Sequence, residues 1–378
     1  MLPTVGKKVY NIILCFPVIL SLKDGEAMKT FHCPTKIYMG DNALSVLETC
    51  RAARVLVVTD GYFSQCGKAM EVGKRVPGAE VRVFDRVQPD PSAELAAEGA
   101  ALCLSYQPDL LIALGGGSSM DCAKAIRLAS GLPMTFYAIP TTAGSGSEVT
   151  SFSVLTKDGL KHPVVDPELR PDAAILDTDL LASLPASLVA DTGMDLLAHC
   201  VEAIAATGRN SFTDALAFHG AMTAMEDLPA AYAGDGKARG KLLEAACMAG
   251  MAFDNAGLGL CHAIAHVLGG ACHLPHGRLC AMVLPHVMAV NESALSQYAR
   301  LAKLCGLGGA TERLGLRNLI NGVVSLRSKL GLPAVLPQGE RFSLEQLIGA
   351  VLTDGCCKTN PEPASREMIR EILQAVGC

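Results

Sequence analysis

Four of the chain's nine histidines lie close together, at His262, His266, His273 and His276. His262 and His266 are spaced i, i+4 and share one face of a helix about one turn apart. The pair Gly269-Gly270 is expected to end that helix, and Pro275 to set a rigid bend before His276. A helix-borne imidazole and a loop-borne one can then converge on one point. Upstream, Asp195 and His199 repeat the i, i+4 spacing. Neutral imidazoles with a carboxylate suit a divalent first-row metal, iron or zinc. A lone buried histidine is more often a satisfied core residue. Two i, i+4 pairs together with a Pro-His-Gly turn favour the metal.

Three further stretches have the residue types that hold a dinucleotide. Asp60, in Thr59-Asp60-Gly61, closes a strand-like run. A carboxylate there can accept from a ribose 2′-OH and repel a 2′-phosphate, favouring NAD over NADP, although an ordinary turn aspartate looks the same. Gly115-Gly116-Gly117-Ser118-Ser119-Met120-Asp121 follows the apolar run Leu110–Leu114 and opens a helix. Glycines let backbone approach a pyrophosphate, and a helix N-terminus offers N–H groups; a tight strand-to-helix turn is the plainer alternative. Pro140-Thr141-Thr142-Ala143-Gly144-Ser145-Gly146-Ser147-Glu148-Val149-Thr150 sets hydroxyls among glycines, which suits phosphates and ribose as well as it suits a solvated loop.

These residues need a scaffold, and its pattern changes once along the 378 residues. Short apolar runs at Val55–Val58, Val81–Phe84, Leu110–Leu114, Met134–Ile139 and Ala173–Leu176 alternate with helical stretches. That alternation predicts a buried parallel sheet in an α/β nucleotide-binding domain over residues 28–184. After the break at Ser183-Leu184-Pro185, helical periodicity takes over, as in Glu244–Met251, Leu295–Leu304 and Met368–Ala375. Residues 185–378 are therefore expected to form an all-helical metal-binding domain, the two domains enclosing a cleft. Residues 1–27 fit neither pattern. Their apolar run from Val9 to Leu20 is too short to span a bilayer, and Met28 reads as a fresh start, with a targeting helix the alternative. A net charge of −5 argues against nucleic acid, and no segment suggests a membrane. Fifteen cysteines without CxxC spacing indicate free thiols in a reducing compartment, the cytoplasm by default.

Taken together, GGGSSMDCAKAI, PTTAGSGSEVT, the Asp195/His199 pair and HAIAHVLGGACHLPHG resemble the iron-containing (group III) alcohol dehydrogenase family. The resemblance runs from Lys29 to the C-terminus and includes Thr359-Asn360-Pro361-Glu362-Pro363. Within the family the chain is most similar to propanol dehydrogenases of bacterial microcompartments. The resemblance implies metal ligands at Asp195, His199, His262 and His276, with Fe²⁺ usual and Zn²⁺ in some relatives. It implies proton relay at His266. For NAD it points to Asp60, Gly116, Gly117, Ser118, Ser119, Met120, Asp121, Thr141, Thr142, Thr150 and Lys161. Asp90 stands where many members have asparagine, and His273 and His286 fall outside the pattern. The implied activity is NAD-linked interconversion of a small primary alcohol and its aldehyde, in a homo-oligomer that a microcompartment could house. A zinc polyol dehydrogenase and a non-catalytic NAD- or metal-binding relative are the competing expectations.

Overall fold

The structure, a computed structural model, describes residues 29–157, 160–337 and 343–378. The expected N-terminal extension, residues 1–27, and the start at Met28 lie outside the described residues. The chain divides into two compact units. One comprises Cys33–Thr142 and Gly146–Leu181; the other comprises Lys29–His32, Ala143–Ser145 and Ala182–Cys378.

The first unit is built on a six-stranded parallel sheet. Its strands are β1 (Lys36–Met39), β2 (Arg54–Asp60), β3 (Glu80–Val87), β4 (Leu110–Gly115), β5 (Thr135–Pro140) and β8 (Ala173–Leu176), in the order β1-β8-β5-β4-β2-β3. An antiparallel pair, β6 (Phe152–Lys157) and β7 (Leu160–Val165), stands apart. The five apolar runs all form strands of the sheet. β1, β6 and β7 have no such run: β1 has only three apolar residues after Lys36, and polar residues or proline interrupt those of β6 and β7. Val55–Val58 of β2 pair with Leu110–Ala113 on one side and Val81–Phe84 on the other, and all four are fully buried. Burying an aliphatic side chain contributes about 1.5–3 kcal/mol, so these central strands anchor the unit.

The connections matter for function. β3 lies on one side of β2 and β4 on the other, so the strand order reverses between β2 and β4. At such a reversal the carboxyl ends of neighbouring strands open a crevice. Asp60 ends β2, Gly115 ends β4 and Pro140 ends β5. The helices around them are α1 (Gly61–Gln65), α2 (Lys68–Lys74), α3 (Ala93–Tyr106) and α4 (Gly117–Ser130).

The second unit is helical: α5 (Ala186–Ala205), α6 (Ser211–Tyr232), α7 (Gly236–Ala256), α8 (Leu260–Cys272), α9 (His276–Val290), α10 (Leu295–Leu304), α11 (Glu312–Lys329), α12 (Leu344–Thr353) and α13 (Arg366–Ala375). α5 is buried almost all round from Val189 to Ala205, as a central helix must be if it is apolar on every face.

Two local expectations are corrected. Gly269-Gly270 does not end α8, which continues to Cys272 and stops at His273, whose left-handed φ of 54° caps it. Two helical glycines cost about 2 kcal/mol together, comparable to the roughly 1.5–3 kcal/mol that burying Leu268 returns. His276 is not loop-borne either. Pro275 is the N-cap of α9 and His276 its first residue, because the fixed φ of proline suits a helix entrance.

Among the described residues every cysteine is a free thiol, and no single helix is long and apolar enough to cross a membrane.

Candidate metal centre and dinucleotide loop

α5, α8 and α9 bring the metal-type residues together. The i, i+4 spacing on α5 sets Asp195 and His199 on one face, and Glu202 continues the stripe at i+7. His262 lies in the first turn of α8 and His276 at the start of α9. Asp195 Oδ1 is 3.7 Å from His262 Nε2 and 3.5 Å from His276 Nε2. The His199 and His262 rings stack with centroids 4.4 Å apart. Buried Asp195 Oδ1 and His262 Nε2 have no hydrogen-bond partner. Two buried polar atoms facing each other without partners would each cost about 1–3 kcal/mol, a cost that a shared cation removes.

The imidazoles are oriented from behind. Glu202 Oε2 accepts from His262 Nδ1 at 2.6 Å, leaving Nε2 as the bare nitrogen. His199 Nδ1 donates to the Gly144 carbonyl at 3.2 Å, which frees its Nε2 in the same way. Glu202 also accepts from the backbone N–H of Cys261 (2.6 Å) and His262 (3.3 Å), and Asn360 Oδ1 accepts from Leu260 N–H at 3.0 Å. A carboxylate and an amide thus satisfy the N-terminus of α8. Both reach it because residue 259 is glycine: a Cβ there would lie 2.7 Å from Asn360 Oδ1 and 2.8 Å from Glu202 Oε1. Gly277 is held to the same requirement. A Cβ on it would sit 1.9 Å from the Asp191 carbonyl, so only glycine lets α9 approach α5 closely enough to set His276 beside Asp195. Arg278 secures that contact with a two-pronged bridge to Asp191, at 3.1 and 3.0 Å.

The electrostatics call for positive charge at this point. Burial opposes ionisation of Asp195, but His199, His276 and His262 outweigh it and hold the carboxyl below its usual range. Burial takes the His199 imidazole down to about 4, against the pull of Asp195. Burial also disfavours a charged His262, yet its contacts with Asp195 and Glu202 draw it up to about 10, so a proton on Nε2 is what a cation between His262 and Asp195 would replace. The donor set of imidazoles and a carboxylate, with two orphaned atoms between them, fits a divalent cation.

His266 stands beside this cluster. Its ring stacks on His276 with centroids 5.2 Å apart, and its Nδ1 lies 3.0 Å from Asp354 Oδ2. Burial opposes the Asp354 charge, but His266 and the Cys356 amide hold its carboxyl down to about 2. Phe253 packs face to face on His199, with centroids 4.4 Å apart. Cys280 is a further neighbour of the cluster, its Sγ 3.6 Å from His276 Nε2.

The dinucleotide-type residues gather in the first unit. Asp60 caps α1, its Oδ1 accepting from Tyr62 and Phe63 N–H, while Oδ2 lies 3.9 Å from where a Gly115 Cβ would stand. Gly115 has φ +150°, and a Cβ on it would meet Ser119 Oγ at 2.3 Å. Gly116, the N-cap of α4, has no side chain to accept from the N–H groups of Gly117 and Ser118, while the Ser119 N–H donates to the Gly116 carbonyl at 3.1 Å; Thr142 Oγ1 lies 3.2 Å from the would-be Gly116 Cβ. Thr141 N–H donates to the Gly115 carbonyl at 3.0 Å. The β2, β4 and β5 ends thus frame a glycine-lined helix N-terminus of the kind that holds a pyrophosphate.

Other predicted residues in this unit have internal roles. Met120 is buried in the core. Asp121 accepts from Ser147 Oγ at 2.9 Å and Val154 N–H at 3.0 Å. Thr150 Oγ1 accepts at 3.0 Å from Lys124 Nζ, a fully buried ammonium that also bonds Ser147 Oγ (2.9 Å) and the Phe152 carbonyl (2.7 Å). Lys161 on β7 pairs with Asp90 at 2.7 Å.

Sequence reasoning missed Glu202, Asp354, Cys280 and Lys124. The i+7 position of Glu202 on the Asp195 stripe and the i+4 position of Cys280 after His276 were its available signals.

Known proteins resemble this chain over almost its whole length. Residues 34–178 match the family of iron-containing alcohol dehydrogenases, and residues 189–377 match the C-terminal domain of the Fe-containing alcohol dehydrogenase family. The chain is 40% identical to a 1-propanol dehydrogenase of Salmonella typhimurium, over 92% of this chain and 99% of that protein. It is 35% identical to an NADPH-dependent butanol dehydrogenase of Clostridium saccharobutylicum, over 92% and 98%. The iron-containing alcohol dehydrogenase of Thermococcus thioreducens superposes with a TM-score of 0.85 at 33% identity, covering 91% of this chain and 98% of that one. The chain belongs to the iron-containing alcohol dehydrogenase family.

Proposed function

We propose that this protein interconverts a small primary alcohol and its aldehyde, such as propanol and propionaldehyde, using NAD and a divalent metal, Fe²⁺ with Zn²⁺ the alternative. The observation that carries the reading is the pair of partnerless buried atoms, Asp195 Oδ1 and His262 Nε2, facing His276 Nε2. Bound there, the cation supplies Lewis acidity at an alcohol or carbonyl oxygen, and NAD supplies the hydride acceptor.

The chain's own residues do the rest. Asp195, His199, His262 and His276 hold the cation, with Glu202 and the Gly144 carbonyl fixing which nitrogens of His262 and His199 face it. Asp354 accepts the Nδ1 proton of His266, leaving His266 Nε2 to take the alcohol proton and pass it to solvent. Phe253 covers one face of His199. Gly116, Gly117, Ser118 and Ser119 receive the cofactor's pyrophosphate, and Thr141 and Thr142 flank it. Met120 is buried in the core, Asp121 and Thr150 brace the neighbouring segment through Ser147, Val154 and Lys124, and Lys161 pairs with Asp90. We place the protein in the cytoplasm as a homo-oligomer acting on small molecules.

The direct test is NADH oxidation with propionaldehyde, before and after chelation and after restoring iron or zinc. Activity lost to chelator and regained with either metal supports the reading; full activity in metal-free protein removes it.

Asp60 decides the cofactor. Its replacement by Asn keeps the α1 cap but removes the charge facing a 2′-phosphate, whereas Ala removes both. Asp60→Ala is expected to weaken NAD binding by about tenfold, the loss of a charge-assisted hydrogen bond, and both variants to relax discrimination against NADP. Fluorescence titration with each cofactor measures this. An unchanged NAD/NADP ratio in both would leave Asp60 a helix cap only.

A further inference from the structure

We propose that Asp90 sets how tightly the dinucleotide is held: paired with Lys161, it withholds that ammonium from the cofactor's pyrophosphate. The inference rests on the NAD reading above and deepens it. Asp90 is a positioning residue, acting through Lys161 and not on the reacting atoms.

Two segments build the pair. Gln88-Pro89-Asp90-Pro91 leads from the carboxyl end of β3 towards α3, and Val87 at that end is in register with Asp60. Asp90 stands at φ 56°, in the left-handed region, although a following proline steers a residue towards extended backbone. Aspartate tolerates that region better than most residues. The turn is also tied down: the Pro91 carbonyl accepts from Thr156 N–H at 2.9 Å, and Ser92 forms a bridge with Thr156. Thr156 faces Lys161 across the β6–β7 pair, which brings the ammonium to 2.7 Å from the Asp90 carboxylate.

The same two strands set Lys161 near the glycine-lined N-terminus of α4. Val154, two residues before Thr156, donates its N–H to Asp121 Oδ2 at 3.0 Å, and Ser153 Oγ donates to the Asp121 carbonyl at 2.9 Å. Two residues of strand span about 7 Å, close to the length of a lysine side chain. Burial pushes the Asp121 carboxyl up, and Lys161 is one of the charges pulling it back. The Lys161 side chain is only 11% exposed, whereas that of Asp90 is 47% exposed. An ammonium withdrawn from water attracts phosphate strongly, and a carboxylate in contact with it cancels most of that field. Lysine binds phosphate as a point charge on a flexible stem, so a Lys161 released from Asp90 can swing to the pyrophosphate.

Titration of the full-length protein with NADH, and with ADP-ribose, which has the pyrophosphate but no nicotinamide, tests this. Asp90→Asn keeps a residue that accepts the left-handed backbone and removes the charge. It is expected to tighten both ligands about fivefold, the upper range for an ion pair with one exposed partner, and to steepen the loss of affinity with added salt. Asp90→Gly, which adopts φ 56° freely, serves if the asparagine variant fails to fold. In a Lys161→Met background the gain from Asp90→Asn is expected to fall below about twofold, what a half-exposed charge exerts on its own. Unchanged or weaker binding in the Asp90 variants overturns the proposal and leaves the pair a brace between turn and hairpin. An equal gain with and without Lys161 also overturns it, since Asp90 would then act by its own charge. If wild type binds neither NADH nor ADP-ribose, the NAD reading itself falls, and the inference with it.

Discussion

Replacing His262 by Ala is expected to abolish turnover and to lower bound metal well below one per chain, as is replacing His276. The two variants should differ in stability, and that difference is diagnostic. His262 Nδ1 is the side-chain partner of Glu202, a carboxylate buried between α5 and α8. Removing it leaves a buried charge with only the Cys261 and His262 backbone N–H groups. Breaking a buried ion pair on one side costs about 3–5 kcal/mol, and the surviving backbone bonds put this case near the lower figure. His276→Ala leaves Glu202 satisfied and should unfold closer to wild type. Elemental analysis, NADH turnover and thermal melts on the pair separate metal loss from unfolding. Full metal and full activity in either variant would end the ligand assignment.

His266→Ala is expected to keep the metal and slow turnover by roughly 10²–10⁴-fold, the usual contribution of general acid–base assistance. His266 shares the His262 face of α8, but its Nδ1 is committed to Asp354 at 3.0 Å and its ring lies against His276. Imidazole added to the assay should recover part of the rate by carrying the proton instead. Metal lost from this variant would make His266 a ligand or an essential support for one. Retained metal with wild-type turnover would leave it a core histidine. Both results are read from the same purified protein, by metal content and by kcat.

What the sequence by itself determined about this protein is what local period determines. The i, i+4 spacings put Asp195 with His199 and His262 with His266, because 3.6 residues per turn allow no other arrangement on a helix. The apolar runs became the central strands of the sheet, since such runs bury themselves in any fold that offers two covered faces. The glycine turn after Leu114 became a helix N-terminus for the same local reason.

Only the tertiary structure decided the partners. Glu202 and His262 are 60 residues apart, and His266 and Asp354 are 88 apart. Nothing local to either end names the other; the packing of α8 on α5 and on the C-terminal segment does. Asp121 and Thr150 were legible as polar residues near a cofactor loop, whereas their engagement with Ser147 and Lys124 follows from an ammonium buried where only hydrogen bonds can replace water. Gly269-Gly270 stayed helical because core packing offsets a propensity cost of about 2 kcal/mol for the pair. Whether His276 reaches Asp195 depends on how near α9 comes to α5, a distance governed by Gly277 against the Asp191 carbonyl. A close approach between helices is a property of two surfaces meeting, and one strand of sequence lists those surfaces without saying which of them touch.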